Sequence, residues 1–535
     1  MKKQANPLKV LRVSLAILFF VPILLFFLDF DSKLPNSLHT LLHLQIIPAI
    51  LGLSFGILAF QLILALVFGR IYCSTICPAG VLQDIINRLF IIGKKKKKGS
   101  MRYKYHKPLN IFRYVLLGCT IGFAVLGFTG LLVWLDPYSN FGRIATNLFR
   151  PVVVWGNNLA ADVLMSMDNY TLHHVTLKTI AASGLIAGGI ALVTFIVMVI
   201  FRGRFFCNTV CPVGALLSLI SRYSFFRISF NKSVCNSCGN CERTCKAEAI
   251  DSKGMIVDAS RCVDCFNCTS SCTKDGLAYR FNPPIKKEKT EIIEQPLSTV
   301  NCQLSTVNFQ KSTQRSRRTF LATGATVAAS LPVISTLARG AQADRDTGEG
   351  WGPVTPPGSI NLERFKDKCT GCHICVVKCP SQVLKPAGLQ YGLGYMLRPF
   401  VSYKSSYCNY ECTICADVCP NHAIMPLTVE DKKTTQVGIA TFVIERCIVY
   451  TEGTDCGACS EHCPTQAVHM VPYGEGTLTI PQVDPDICIG CGGCESICPV
   501  NPHRAILIKP NEVHQIAQLP PEEEVQEFEI DDFGF

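Results

Sequence analysis

Charge is scarce in this chain: Asp, Glu, Lys and Arg make up 17% of its 535 residues, while hydrophobic residues make up 48%. That balance points toward membrane spans and away from a uniformly solvated surface. The net charge of +11 gathers into no nucleic-acid face, because its densest run, Lys94 to Lys98, lies between two apolar stretches. Such a run orients a membrane segment, so no nucleic-acid partner is expected. The first apolar run, Val10–Leu28, has no small-residue cleavage site behind it, which excludes a cleaved signal peptide. Paired histidines that would hold a haem are missing from the apolar runs. Cysteine is the opposite case, with 30 residues, far more than a soluble cytosolic chain carries unless they bind metal.

Four apolar runs open the sequence, roughly Val10–Leu28, Ile46–Phe68, Phe112–Leu135 and Leu177–Phe201, each long enough to cross a hydrocarbon core as a helix. Lys and Arg concentrate before the first run, in 69–111 and just after 201, while the loops at about 29–45 and 136–176 hold few. The positive-inside rule therefore places 69–111 and the segment after 201 in the cytoplasm. The module is internally repeated: Gly69-Arg70-Ile71-Tyr72-Cys73-Ser74-Thr75-Ile76-Cys77-Pro78-Ala79-Gly80 matches Gly203-Arg204-Phe205-Phe206-Cys207-Asn208-Thr209-Val210-Cys211-Pro212-Val213-Gly214. Two hairpins related by a pseudo-two-fold axis follow from this. After each Cys-Pro a short helix is predicted on the inner membrane surface, with Val81, Leu82, Ile85, Ile86, Leu89 and Phe90 at helical spacing in the first copy.

Twenty-four cysteines fall into six quartets. Cys235, Cys238, Cys241 and Cys245 are spaced C-x2-C-x2-C-x3-C, as are Cys262, Cys265, Cys268 and Cys272. Cys369, Cys372, Cys375 and Cys379 repeat the spacing, and Cys408, Cys412, Cys415 and Cys419 carry one extra residue in the first gap. Cys447 stands off from Cys456, Cys459 and Cys463, and Cys488, Cys491, Cys494 and Cys498 restore the regular form. This is the bacterial ferredoxin run, in which three cysteines wrap one cubane and the fourth serves its neighbour. A zinc site would show two well-separated C-x2-C pairs, and disulfides need no three-residue rhythm. Six [4Fe-4S] clusters are the expectation. In the inner pair, Cys235, Cys238 and Cys241 should share a cluster with Cys272, and Cys262, Cys265 and Cys268 with Cys245. In the outer four, sequential and nested pairings both stand. Cys73, Cys77, Cys207 and Cys211 read either as structural cysteines at helix starts or as ligands of one further metal centre at the repeat interface. Cys119 and Cys302 are expected to be inert.

The expected organisation is an α-helical polytopic membrane module (1–228, four spans as two repeated hairpins), an α+β ferredoxin-like 2[4Fe-4S] domain (229–282) and a polar linker (283–313). A twin-arginine element or fifth span (314–343) and an exported four-cluster domain with an acidic tail (344–535) complete it. The element Ser316-Arg317-Arg318-Thr319-Phe320-Leu321 resembles a twin-arginine export signal, an address for folded cargo, which suits a domain loaded with clusters before export. Residues 229–282 are then cytoplasmic and 344–535 periplasmic, on a multi-pass protein of a bacterial inner membrane.

Residues 1–282 resemble the NapH/MauN-type membrane ferredoxins in their spans, their two C-x3-C-P motifs and two clusters. Residues 314–510 resemble the NapG/MauM-type ferredoxins in their twin-arginine leader and four clusters. The chain looks like a fusion of the two. Related polyferredoxins, including the nitrous-oxide reductase regulators, share the C-x3-C-P core, but this chain has no large flavin-binding domain between its first spans. The resemblance implies oxidation of membrane quinol and delivery of electrons to a periplasmic reductase or c-type cytochrome, with nitrate the best-known terminal acceptor. A different class, a redox factor that matures or reactivates a periplasmic metalloenzyme, is allowed by the MauM/MauN likeness. His39, His43, His173 and His174 lie in the outer loops, where a base for quinol protons is needed, yet no catalytic residue is assigned.

Overall fold

The computed structural model describes residues 6–29, 34, 40–94, 103–177, 181–282, 351–474 and 476–519. The linker, the twin-arginine element, most of the Lys94–Lys98 run, His39, Cys302 and the acidic tail lie outside the described residues.

The helix Pro7–Leu28 starts where Asn6 accepts from Leu8 N at 3.1 Å and proline occupies the first turn. Ala182–Arg202 ends where Gly203 turns to φ +59°. Among the described residues these two helices are long and apolar enough to cross a membrane. The other two predicted spans are interrupted. The run 46–68 divides into Ile46–Leu51 and Phe55–Phe68 around Leu53, at φ 55°. The run 112–135 divides into Asn110–Val125 and Gly130–Leu135 around Gly127, at φ 82°. A left-handed residue ends the i to i−4 ladder, so apolar length alone did not make one continuous helix. The segment 136–176 is not a plain loop either. Asp136 caps Pro137–Ile144, accepting from Tyr138 N and Ser139 N at 3.1 Å each, and Arg150–Met165 follows after a π-helical turn. The predicted helices after Cys-Pro are present as Pro78–Lys94 and Pro212–Ser221.

Two units of small antiparallel ribbons flank the helices. In the inner unit, β1 (Phe226–Phe230) pairs β4 (Leu277–Phe281), and β2 (Ile250–Asp251) pairs β3 (Ile256–Val257). In the outer unit, β5 (Leu384–Pro386) pairs β6 (Pro399–Val401) and β8 (Val468–Pro472) pairs β9 (Thr479–Val483). There β7 (Thr435–Phe442) also pairs β10 (Ile506–Ile516), with a bulge between Pro510 and Gln515.

The units cap opposite ends of the same helices. At the start of Ala182–Arg202, Ser183 Oγ donates to Pro386 O of the outer unit at 2.7 Å. Just past its other end, Arg204 N donates to Lys246 O of the inner unit at 2.9 Å. Twenty-one helical residues separate those ends by about 30 Å. Pro7–Leu28 repeats the arrangement in reverse: Asn6 Nδ2 donates to Thr269 Oγ1 at 3.2 Å, and Asp29 meets Lys378 Nζ at 2.5 Å. Between the caps the helices present apolar side chains outward, among them Ile111, Val115, Val125 and Trp155.

Candidate metal centres

The regular cysteine loops share one backbone device. The residue before the second cysteine has positive φ in all four (Ser237, Asp264, Gly371, Gly490), and so does the residue after it (Gly239, Phe266, His373, Gly492). Alternating hands of this kind turn successive N–H groups into a concavity that holds an anion, which suits a negatively charged thiolate cluster. The two irregular loops depart from it: Thr413 (φ −113°) and Gly457 (φ −106°) occupy the position after the second cysteine. Their altered first gaps come with a different turn.

Tertiary packing then selects the fourth member of each set. Cys235, Cys238, Cys241 and Cys272 line one cavity. Cys245 lies in the field of Cys265, and Cys262 and Cys268 both feel Cys245. The inner exchange therefore has the expected partners. The outer unit answers the open alternative with sequential pairing. Cys369, Cys372, Cys375 and Cys419 line a second cavity, and Cys447, Cys456, Cys459 and Cys498 a third. Cys379 faces Cys408, Cys412 and Cys415, while Cys463 faces Cys488, Cys491 and Cys494.

Burial pushes these thiols up, Cys241, Cys245 and Cys369 to about 11 and Cys491 to about 12. Metal must therefore displace protons to bind, and uptake strengthens as pH rises. Among the described residues no three His, Cys, Asp or Glu side chains converge as a ready single-ion site. Three of the donor sets line small cavities, the arrangement a cubane needs.

The sets follow one another in space. The inner set with Cys245 sits against the helices through Arg204 N to Lys246 O, Asn208 Nδ2 to Ala247 O (3.1 Å) and Arg70 Nη1 to Ser260 O (3.1 Å). The set with Cys238 lies farther out, and Cys238 is exposed. Across the helices, the outer set with Cys372 is held by Ser139 Oγ on Thr370 Oγ1 at 2.8 Å and by the close approach of Gly142 to Cys372 O. Asn147 Nδ2 meets His373 Nδ1 at 3.1 Å beside it, and burial brings the His373 imidazole down to about 3. Cys408 N donates to Cys491 O at 2.9 Å, joining the two outer pairs. The series ends at the set with Cys456 and Cys459, both half-buried.

The outer-loop histidines are less suggestive. The His43 ring lies 5.8 Å from that of His422, His173 O accepts from Asn157 at 3.0 Å, and His174 pairs with Asp162 at 2.9 Å. Sequence reasoning missed His373, whose position inside a cysteine loop was the available signal. Cys119 is exposed on its helix.

Comparison with known proteins agrees with this layout. A 4Fe-4S dicluster domain matches 368–425 and another matches 454–501, each enclosing cysteines from two neighbouring sets. A 4Fe-4S binding domain matches 50–99 and again 185–233. The ferredoxin-type protein NapG of Escherichia coli is 31% identical over 192 residues, 35% of this chain and 82% of that protein. The methylamine utilization ferredoxin-type protein MauM of Methylobacillus flagellatus is 34% identical over 166 residues, 30% of this chain and 69% of its own length. The chain belongs to the NapG/MauM ferredoxin-type family. An uncharacterized protein of Methanocaldococcus jannaschii is 28% identical over 230 residues, 42% of this chain and 71% of that one. Multiple 4Fe-4S-type domains and a general redox role follow for this member of the family.

Proposed function

We propose that the chain is a membrane-bound electron carrier that moves electrons through six [4Fe-4S] clusters and delivers them to a periplasmic reductase or c-type cytochrome. One observation carries this reading: the cysteine sets form an ordered series, with a helical module about 30 Å deep between the inner and the outer sets. Such a series has no structural purpose that plain packing would not serve better. The NapH/MauN-like module is the membrane part of the proposal. It crosses a bacterial inner membrane several times and leaves 229–282 cytoplasmic and 344–535 periplasmic. The apolar side chains between the two caps meet the bilayer.

Quinol is the proposed donor. A cavity between the helices and the outer unit is lined by Thr146, Asn147, Arg150, Pro151, Val376 and Leu384. Val376 lies between Cys375 and Cys379, so a quinol head group there is adjacent to two outer sets, with an apolar wall for its ring. Thr146 Oγ1 and Arg150 Nε are buried in that wall without a hydrogen-bond partner, as expected of groups that wait for a polar ligand. In membrane vesicles, menaquinol or ubiquinol should bleach the cluster absorbance, and Asn147→Leu should abolish bleaching by quinol but not by dithionite. If quinol bleaches nothing in the unaltered protein, the quinol reading fails. The second reading, maturation or reactivation of a periplasmic metalloenzyme, is favoured by the likeness to MauM and gains from that outcome.

A further inference from the structure

The duplicated C-x3-C-P motifs hold the only cysteines of the two segments that match a 4Fe-4S binding domain, yet the six clusters make no use of them. The structure brings all four of their cysteines together. Cys73, Cys77, Cys207 and Cys211 are each 3–4% exposed, and each lies in the electrostatic field of the other three. The repeats cross over to build the site. Arg70 donates to Cys207 O at 2.9 Å and to Cys73 Sγ at 3.8 Å, while Arg204 donates to Cys73 O at 2.7 Å and to Cys207 Sγ at 3.9 Å. Gly80 packs on Cys73 O and Gly214 on Cys207 O, so each lets a backbone approach that a side chain would block. Gly214 N at 3.3 Å from Cys211 Sγ adds a donor aimed at sulfur, and the Gln83 amide lies against Cys207 Sγ, with Nε2 at 3.3 Å and Oε1 at 3.5 Å.

Donors converging on four buried sulfurs describe an anion's environment. The Arg70 side chain is fully buried; its other hydrogen bonds run to Asn208 Oδ1 and Ser260 O, and the buried Asp264 carboxyl lies in its field. Negative charge on the thiolates it faces adds to what that carboxyl gives the buried guanidinium. Four packing cysteines would need no such donors. Position adds the second argument. Arg70 and Asn208 tie the thiol set to the inner loops at Ser260 and Ala247. On the far side, Tyr72 lies in the fields of Cys73, Cys77 and Asp136, and Tyr138 in those of Asp136, Cys372 and Cys419.

We propose that Cys73, Cys77, Cys207 and Cys211 ligate a seventh iron–sulfur cluster, two thiolates from each repeat, which relays electrons between the inner set with Cys245 and the outer set with Cys372. This rests on the iron–sulfur reading of the six quartets, though not on quinol as donor. One electron enters from a reduced inner cluster, which is oxidised by one. The relay centre is reduced, then passes that electron to an oxidised outer cluster, with no bond broken and no proton moved. The relay closes a gap that one tunnelling step across the helices would cross slowly.

The full chain, purified anaerobically in detergent, decides the matter by its iron and acid-labile sulfide. Seven cubanes per chain are expected, with about one-seventh of the iron lost in Cys73→Ser/Cys207→Ser and none in Cys119→Ser. A wild-type count of six, or one copper or zinc ion in the site, overturns the proposal whatever the variant does. So does an unchanged iron content in the variant. In proteoliposomes, dithionite supplied on the side of the inner unit should bleach the outer clusters of the unaltered protein and leave those of the variant oxidised. Equal bleaching in both removes the relay role. A wild type without iron would instead refute the reading of the six quartets, a separate failure.

Discussion

The two copies of the Gly-Arg-x-x-Cys-x3-Cys-Pro motif share the arginines, glycines and cysteines around the four thiols and differ in much of what surrounds them. Arg70 and Arg204, Gly80 and Gly214, and the two cysteine pairs occupy matching places. Fourteen residues after each arginine the copies part: the first has Asp84 and the second Ser218. Asp84 gathers three cations from three segments, Arg12, Arg204 (2.8 Å) and Lys246 (2.5 Å). Ser218 Oγ makes a local bond to Ala215 O at 2.6 Å and approaches Tyr114 Oη at 3.2 Å. The position after the first cysteine differs too. Asn208 bridges Arg70 at 2.7 Å and Ala247 O at 3.1 Å, while Ser74 bonds only its own turn, at Ile71 O. Symmetry is kept in the arginines, glycines and cysteines of the shared site, and asymmetry is greatest where one copy must hold the inner unit and the first helix.

The comparison can be broken at those positions. Asp84→Asn strands three buried or half-buried cations and should cost about 3–5 kcal/mol in a denaturant titration of the detergent-solubilised chain. Ser218→Ala at the matching position should cost about 1 kcal/mol or less. Gly80→Ala and Gly214→Ala press a methyl onto Cys73 O and Cys207 O and bring it within 2.9 Å of Arg204 and 2.8 Å of Arg70. Each should lose about 1–3 kcal/mol, by similar amounts in the two copies. A Gly56→Ala control, with open space around it, should be close to neutral. Asn208→Ala should cost about 1–2 kcal/mol and loosen the inner unit in hydrogen exchange. Ser74→Ala should change stability by a few tenths of a kcal/mol and leave that exchange unaltered. Equal effects of the last two would show the copies to be interchangeable after all.

Much of this site was legible in the sequence because ferredoxin loops are local. Three cysteines within seven residues fix their own loop, and the fourth positions of the inner pair, Cys245 and Cys272, had one sensible exchange. The outer pairings were not legible, since spacing along the chain leaves open whether Cys419 serves the set of Cys369 or a more distant one. Packing of the loops around Thr370 and Asn421 supplies that choice, with Asn421 Nδ2 on Thr370 Oγ1 at 2.9 Å. Apolar length misled at Leu53 and Gly127, where a single left-handed residue divides a predicted span. The helices after Asp136 carried a readable signal, an acidic cap followed by proline, that the scarcity of charge around it obscured. The convergence of the four C-x3-C-P cysteines was suggested by the repeat alone. The crossed arginines that give it chemical sense depend on two segments 134 positions apart, Arg70 and Arg204.

The central claim is that thiolates cage iron and sulfide throughout this molecule, and Mössbauer spectroscopy of the anaerobically purified, iron-57-enriched full chain tests it most directly. The account predicts that all iron resides in cubane clusters, with sulfide equal to iron and every cluster reducible by one electron. A colourless protein, with zinc in place of iron and no acid-labile sulfide, would contradict it.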